Sequence, residues 1–300
     1  MISKTIDLAG GRLHYADFGG AGPTVVLVHG LGGSHVDWLS AGAALARHAR
    51  VVALDLAGFG RSPRDPRGTS LDVMGDGLAR FLDAMSREPV YLVGGSMGGT
   101  LATLEAHARP RRIASTLLVC PALPLAPGAH VDPRWVRTLA VATLPWGHVL
   151  LRHQGKKIGP ERLLRDIMSL CCVDPSRVPP EFGEAWTALY ADRSSMPWSE
   201  LAFAEATRSL LGELFLRRRL RRALREVSGP VVIVHGQRDR LVDVRTSRAA
   251  VAANPRIELI ELPGLGHTPH IEAPDVFVEV ASSWLDRAAP PATVRSARVA

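Results

Sequence analysis

Cysteine is scarce in this 300-residue chain: Cys120, Cys171 and Cys172 are the only three. The count is odd, and two of them are neighbours in sequence, which rarely bridge. A disulfide framework is therefore excluded, and a reducing compartment is the expectation. A long apolar run is also missing. The longest uncharged stretch, Ile113 to Ala129, is broken by Pro121, Pro124 and Pro127 and falls short of the roughly 20 residues that a membrane span needs. The opening residues "MISKTIDLAGG" carry one lysine and no apolar core, so they do not form a secretory signal. These absences describe a cytoplasmic protein without stable membrane insertion.

What is present suits a packed domain. Apolar residues make up 46% and charged residues 22%, enough for a core that requires neither disulfides nor metal. The net charge is +7, mostly from arginine, and such a balance can serve nucleic acid or anionic lipid. The densest cluster, "LFLRRRLRRALREV" (Leu214 to Val227), sets Leu216, Leu220, Leu224 and Val227 at helical spacing with arginines between them. No aromatic side chain interleaves with those arginines and no nucleic-acid motif surrounds them. The stretch reads as one amphipathic helix with a solvated basic face. Nucleic acid is not expected as a partner; peripheral membrane contact and oligomeric state stay open.

Hydrophobic periodicity divides the chain. Ser3–Leu8 and Arg12–Phe18 alternate around Gly10-Gly11, a hairpin signal. Short apolar runs follow at Thr24–His29, Val51–Asp55, Val90–Gly94, Ser115–Cys120, Val231–His235 and Ile257–Leu262, with helical patterns such as Leu71–Ser86 and Thr100–Ala108 between several of them. Strand and helix in alternation predict a mostly parallel sheet of about eight strands flanked by helices. Between the sixth run and the seventh the alternation stops. Only helical patterns occur there: Pro133–Leu144, Pro160–Cys172, Pro180–Asp192 and Ser199–Leu211. The expected organisation is a core of residues 1–121 and 229–287, a helical insertion of 122–228 after the sixth strand, and a disordered tail of 288–300.

The stretch "VYLVGGSMGGT" carries the chemistry. An apolar strand ends in Gly94-Gly95-Ser96-Met97-Gly98, a G-x-S-x-G pattern followed by a helical one. A turn that tight strains the serine and needs glycines two residues to either side, where a Cβ would strike backbone. It lifts the hydroxyl above the sheet edge, at a helix N-terminus. The hydroxyl needs a base, and His267 follows the last strand in "GLGHTPHIEAP". His270, three residues on, is the rival; it follows Pro269 at a helix entry, where packing is the expected role. The acid that orients the base is Asp239 in "HGQRDRLVDV", with Asp243 as the competing choice. Chain order is then Ser96, Asp239, His267. In "VHGLGG", His29 to Gly33 follow a strand, and the N–H groups of Leu31 and Met97 are the expected oxyanion donors. The loop lacks the lysine-bearing pattern of a phosphate-binding loop.

Taken together, these segments resemble the α/β-hydrolase superfamily, more narrowly its cap-bearing serine esterase and carbon–carbon bond hydrolase branch. The resemblance spans residues 3–287 and includes "ALDLAGFGRS", Ala53 to Ser62. It implies an α/β-hydrolase fold and a serine hydrolase acting on carboxylic esters of small to medium apolar molecules, with no cofactor or metal. Ser96 in place of an aspartate sets aside the haloalkane dehalogenase and epoxide hydrolase branches. Carbon–carbon hydrolysis of ring-cleavage products, thioester hydrolysis, acyl transfer and perhydrolysis use the same triad. For the first of these, Arg152, Lys156 and Arg165 are candidates to hold a substrate carboxylate. A non-catalytic ligand-binding protein on the same scaffold is the rival of another class.

Overall fold

The computed structural model describes residues 1–288. Its eight strands are β1 (Ile2–Leu8), β2 (Gly11–Gly19), β3 (Thr24–Val28), β4 (Arg50–Leu54), β5 (Val90–Gly95), β6 (Ile113–Val119), β7 (Val231–Gly236) and β8 (Ile257–Leu262). They form one sheet in the order β1-β2-β4-β3-β5-β6-β7-β8. β1 and β2 are the predicted hairpin, and β2 also lies antiparallel to β4; all other pairings are parallel. β5 and β7 are buried along their whole length. That explains their unbroken apolar runs, since a parallel strand covered on both faces has no polar side to show.

Helices cover both faces. α1 (Leu39–Leu45) and α12 (Pro274–Ala288) pack on one side, where Trp38, Phe277 and Trp284 are fully buried. α2 (Leu71–Met85) and α3 (Met97–Ala108) pack on the other around Met74, Leu78 and Phe81. Truncating one such aromatic to alanine costs about 3–5 kcal/mol. The chain crosses from β6 to β7 through α4 (Pro133–Thr143), α5 (Gly147–Ile158), α6 (Pro160–Cys171), α7 (Pro180–Ser194), α8 (Ser199–Leu211) and α9 (Arg219–Glu226). Proline opens α4, α6 and α7, where its missing N–H costs nothing. α10 (Arg245–Ala253) precedes β8, and the one-turn α11 (Pro269–Glu272) follows it. Residues 289–300 of the expected tail lie outside the described residues, and Ala288 closes α12.

Two features depart from the sequence reading. The periodicity passes over α5, whose outward side mixes Val149 and Leu150, next to Trp146 at its N-cap, with His153, Lys156 and Lys157, so that apolar residues do not fall on one face. The arginine-rich stretch is not one helix. A wide turn over Gly212–Leu216 leaves Leu216 exposed, and α9 begins only at Arg219. The cause is Glu213, which is fully buried; it accepts the Leu220 N–H at 2.9 Å and pairs with Arg219 at 3.0 Å. A buried carboxylate must be satisfied, and doing so bends the chain. Arg217 and Arg219 also reach Asp72 of α2. The basic face is thus partly tied to the core.

Candidate active site

Ser96 sits between β5 and α3 with φ of +49° and ψ of −115°. No ordinary strand or helix holds a serine there, so the surroundings must impose it. A Cβ on Gly94 would lie 2.4 Å from the Gly98 carbonyl oxygen, and one on Gly98 would lie 2.3 Å from that of Val28. Backbone therefore fills the space that side chains at these positions would need. The Ser96 N–H donates to Val119 O at 2.9 Å, and its carbonyl accepts the Ala122 N–H at 3.0 Å. Next to the turn, a Cβ on Gly30 would lie 3.0 Å from Ser96 Cβ. That closeness brings the loop after β3, with Leu31, against the serine. Met97 is the first residue of α3, where an N–H precedes the intrahelical bonds.

Asp239 and His267 come from the loops after β7 and β8. His267 Nδ1 lies 2.7 Å from Asp239 Oδ2, which commits Nδ1–H to the carboxylate and leaves Nε2 as the basic nitrogen. The other oxygen, Oδ1, accepts the N–H groups of Leu241 and Val242 at 2.8 and 2.9 Å. His235 Nε2 stands 2.8 Å from the Val242 carbonyl and 3.1 Å from Asp239 Oδ2. Burial works to raise the Asp239 carboxyl. The charge of His267 and the hydrogen bonds from His235 and His267 outweigh it and hold the group well below the usual carboxylate range. The competing acid, Asp243, does other work: it accepts the N–H groups of Arg245 and His130. Cys120, with φ of +43°, lies against the acid loop and takes the Gly236 N–H on its sulfur at 3.5 Å.

The histidine loop is fastened to the inserted helices. The His267 N–H donates to Cys171 O at 2.6 Å. Glu272, fully buried, accepts the Gly266 N–H on one oxygen at 2.9 Å and those of Val173 and Asp174 on the other at 2.8 Å each. One carboxylate thus joins the residue before His267 to the segment after α6.

Ser96 and His267 line the same cavity, of about 590 Å³, between the sheet edge and the inserted helices. Its walls are mostly apolar, with Trp135, Leu151, Ile167 and Phe203 among them. Its carboxyl and guanidinium groups belong to Asp37, Arg134, Arg137, Asp166, Arg193 and Glu200. Burial pushes the Asp37 carboxyl up to about 7. Arg193 of α7 donates to the carbonyls of Gly60 and Gly58 at 2.9 and 3.0 Å and sits 5.8 Å from the Phe59 ring centre. No carboxylate lies within ion-pairing distance of it among the described residues. His270 also faces the cavity but stacks on Trp38 at 4.4 Å.

A family model for the alpha/beta hydrolase fold matches residues 23–274. The chain belongs to that family. Within it, this hydrolase-fold chain is 27% identical over 290 residues to an uncharacterized protein of Mycobacterium tuberculosis, covering 90% of this chain and 77% of the relative. It is 26% identical over 294 residues to the 2-hydroxymuconate semialdehyde hydrolase of a Pseudomonas species, covering 96% and 95%. A solved structure of a thermophilic esterase from Thermogutta terrifontis superposes with a TM-score of 0.73 at 23% identity, covering 96% of this chain and 99% of that one.

In this hydrolase-fold chain local sequence patterns point to Ser96, Asp239, His267, Leu31 and Met97, and not to Asp37, Arg193, His235 and Glu272, which the structure sets around them. Glu272 follows His267 by five residues, and no local pattern tells that its partners lie a hundred residues away. Arg165 and Lys156 are exposed, and Arg152 turns toward Glu200 at 3.8 Å; Arg193 faces the cavity instead. The His14–Asp55–His35 cluster is a hydrogen-bonded knot under the loop after β4, closed by bonds of 2.7 Å from His14 and 2.9 Å from His35 to one Asp55 oxygen.

Proposed function

We propose that the chain is a serine hydrolase of carboxylic esters of small to medium apolar molecules, with the inserted helices as its cap. The observation that carries this reading is the 2.7 Å bond from His267 to Asp239 at the rim of the cavity that Ser96 also lines. In the proposed reaction His267 Nε2 takes the Ser96 proton while Oγ attacks the ester carbonyl. The N–H groups of Leu31 and Met97 hold the resulting oxyanion; losing one such donor typically costs on the order of 10²–10³ in turnover. The C–O bond then breaks, the alcohol leaves with the proton from His267, and Ser96 keeps the acyl group. Water gives a proton to the same histidine, attacks the acyl carbon and releases the acid, and Ser96 recovers its proton. Asp239 stays ionised throughout and stabilises the imidazolium.

A second reading is favoured by Arg193. An arginine in the cavity without a carboxylate partner suits a substrate that brings its own carboxylate, as the carbon–carbon hydrolase reading requires, and one relative is named as a semialdehyde hydrolase. The test has two stages. A fluorophosphonate probe should label Ser96 and abolish turnover, and labelling elsewhere would reject the serine mechanism. A panel of nitrophenyl esters set against a dienoate ketone then ranks the two chemistries by kcat/KM. Higher kcat/KM on the ketone would replace the ester reading.

A further inference from the structure

α5 carries two different faces. Leu151, Gly155 and Ile158 line the cavity. On the opposite side, at spacings of three and four, stand Trp146, Val149 and Leu150, exposed at 59%, 56% and 46%, followed by His153, Lys156 and Lys157, also exposed. Leu144, just before the helix, adds to the apolar end at 39%. Single exposed apolar residues are ordinary, but four clustered side chains including a tryptophan are not.

The charge on this element is one-sided. Trp146 to Arg162 contains four Lys or Arg against one acid, Glu161. Lys156 and Lys157 have no carboxylate within 4 Å among the described residues. In the arginine-rich α9 region Arg217 and Arg219 are paired to Asp72 and Glu213, and Arg222 to Glu226; Arg218, Arg221 and Arg225 have no such partner among the described residues, but no tryptophan stands beside them. The α5 lysines are therefore available to an outside anion. A helix with tryptophan and aliphatic residues at one end of a face and free lysines at the other matches a lipid interface. The indole suits the headgroup level, the aliphatic residues the acyl boundary, and the lysines the anionic headgroups.

We propose that the outer face of α5 docks the protein on an anionic lipid bilayer. A second copy of the chain is a poorer occupant, because its matching face brings the same positive charge. Since the inner face of α5 lines the cavity, docking sets one wall of that cavity against the bilayer. The favoured substrates are then esters dissolved in lipid. This consequence rests on the hydrolase reading; the docking does not.

The test uses the full chain and vesicles of phosphatidylglycerol mixed with phosphatidylcholine, or of phosphatidylcholine alone, in a pelleting assay. The wild type should pellet with the anionic vesicles and release as salt rises, because screening at about 0.1 M acts within about 10 Å. Trp146→Ser with Val149→Ser and Leu150→Ser should abolish pelleting, yet keep wild-type turnover of a water-soluble nitrophenyl ester, which certifies folding. Lys156→Gln with Lys157→Gln should lower the partition about 25-fold, at roughly fivefold per lysine. Ser96→Ala should pellet like wild type, which separates docking from hydrolysis. Wild type left in the supernatant with anionic vesicles would overturn the proposal. So would unchanged pelleting of the triple variant, or a triple variant whose only change is loss of a dimer in size-exclusion chromatography.

Discussion

The sheet edge and the helices above it are held by different means. At the edge, Ser96, Asp239 and His267 each follow directly on a strand, β5, β7 or β8, and their surroundings are backbone packed to contact. In α4 and α5, by contrast, the only buried residues are Ala142, Gly147 and Gly155. Deeper in the insertion, α8 and α9 bury Ala206, Leu210, Leu220 and Leu224 in the same core cluster as α2 and α3, and side-chain latches add to this: Arg193 on the Gly58 and Gly60 carbonyls, Glu205 on Arg64 at 2.6 Å, and Glu272 on Val173 and Asp174. Under the proposed function, the edge carries the chemistry and the outer helices α4 and α5 bound the substrate cavity. Changes at the edge should abolish turnover while sparing the fold; changes at the latches should shift both moderately.

The largest effect belongs to the edge. His267→Ala and Ser96→Ala should each lower kcat by on the order of 10³ or more, as removal of a triad member does, with urea midpoints near wild type. A His267→Ala protein with most of its turnover would break the comparison at its strongest point. The next effect belongs to the latch that touches both regions. Glu272→Gln puts an amide donor against backbone N–H groups, leaving some of Gly266, Val173 and Asp174 unsatisfied. Each buried unsatisfied group costs about 1–3 kcal/mol, so stability should fall by a few kcal/mol. Turnover should fall about tenfold, because the residue before His267 loses its anchor. Urea unfolding and ester kinetics on the same preparation check both, and wild-type values in both would show that this latch does no positioning.

Topology explains what could be read in advance. The strand-ending glycines around Ser96, the turn after β7 and the loop after β8 are local patterns, and a parallel sheet brings the carboxyl ends of its strands together whatever lies between them. Local sequence therefore suffices to place Ser96, Asp239 and His267 at one sheet edge, each independently of the others. The insertion offers no such rule. Arg193 reaches Gly58 and Gly60 across more than 130 residues, and its arginine resembles the exposed ones until the helices are packed. The same holds for Glu213, whose burial splits the arginine-rich stretch, and for α5, whose outer face is apolar at one end and basic at the other and so hides its period.

A smaller effect should come from Arg193. Lysine keeps the charge but has one nitrogen in place of the planar fork whose two nitrogens each take one of the carbonyls. Arg193→Lys should raise KM about tenfold for neutral butyrate esters and leave kcat within about threefold. If the cavity accepts a substrate carboxylate there, a nitrophenyl hemisuccinate should suffer a larger loss in kcat/KM than the butyrate. Equal losses would confine Arg193 to fastening the helices.

The smallest effect on turnover is expected at His270, and its signature is in stability. The ring is buried between Trp38 and Phe277, with centroids at 4.4 and 5.9 Å, and its Nδ1 is buried without a hydrogen-bond partner. Burial, and next the charge of His267, push it down to about 3. The folded protein thus keeps this ring neutral, whereas the unfolded chain takes up a proton below about 6.5. Its contribution to stability is complete above about pH 6.5. It declines by about 1.4 kcal/mol per pH unit as the pH falls toward 3. His29, lowered to about 4 chiefly by burial, adds a parallel slope. Asp37, pushed up to about 7, opposes both between pH 7 and 4, since its protonated form is favoured in the fold. Phenylalanine at position 270 keeps the stacking and removes only the titrating ring, so the other two contributions cancel in the comparison with wild type. Between pH 7 and 5, His270→Phe should lose about 2 kcal/mol less than wild type by urea unfolding. At pH 7 it should keep turnover within about threefold. Identical acid slopes in the two proteins would mean that His270 is protonated in the fold, and an inactive His270→Phe beside an active His267→Ala would exchange the roles of the two histidines.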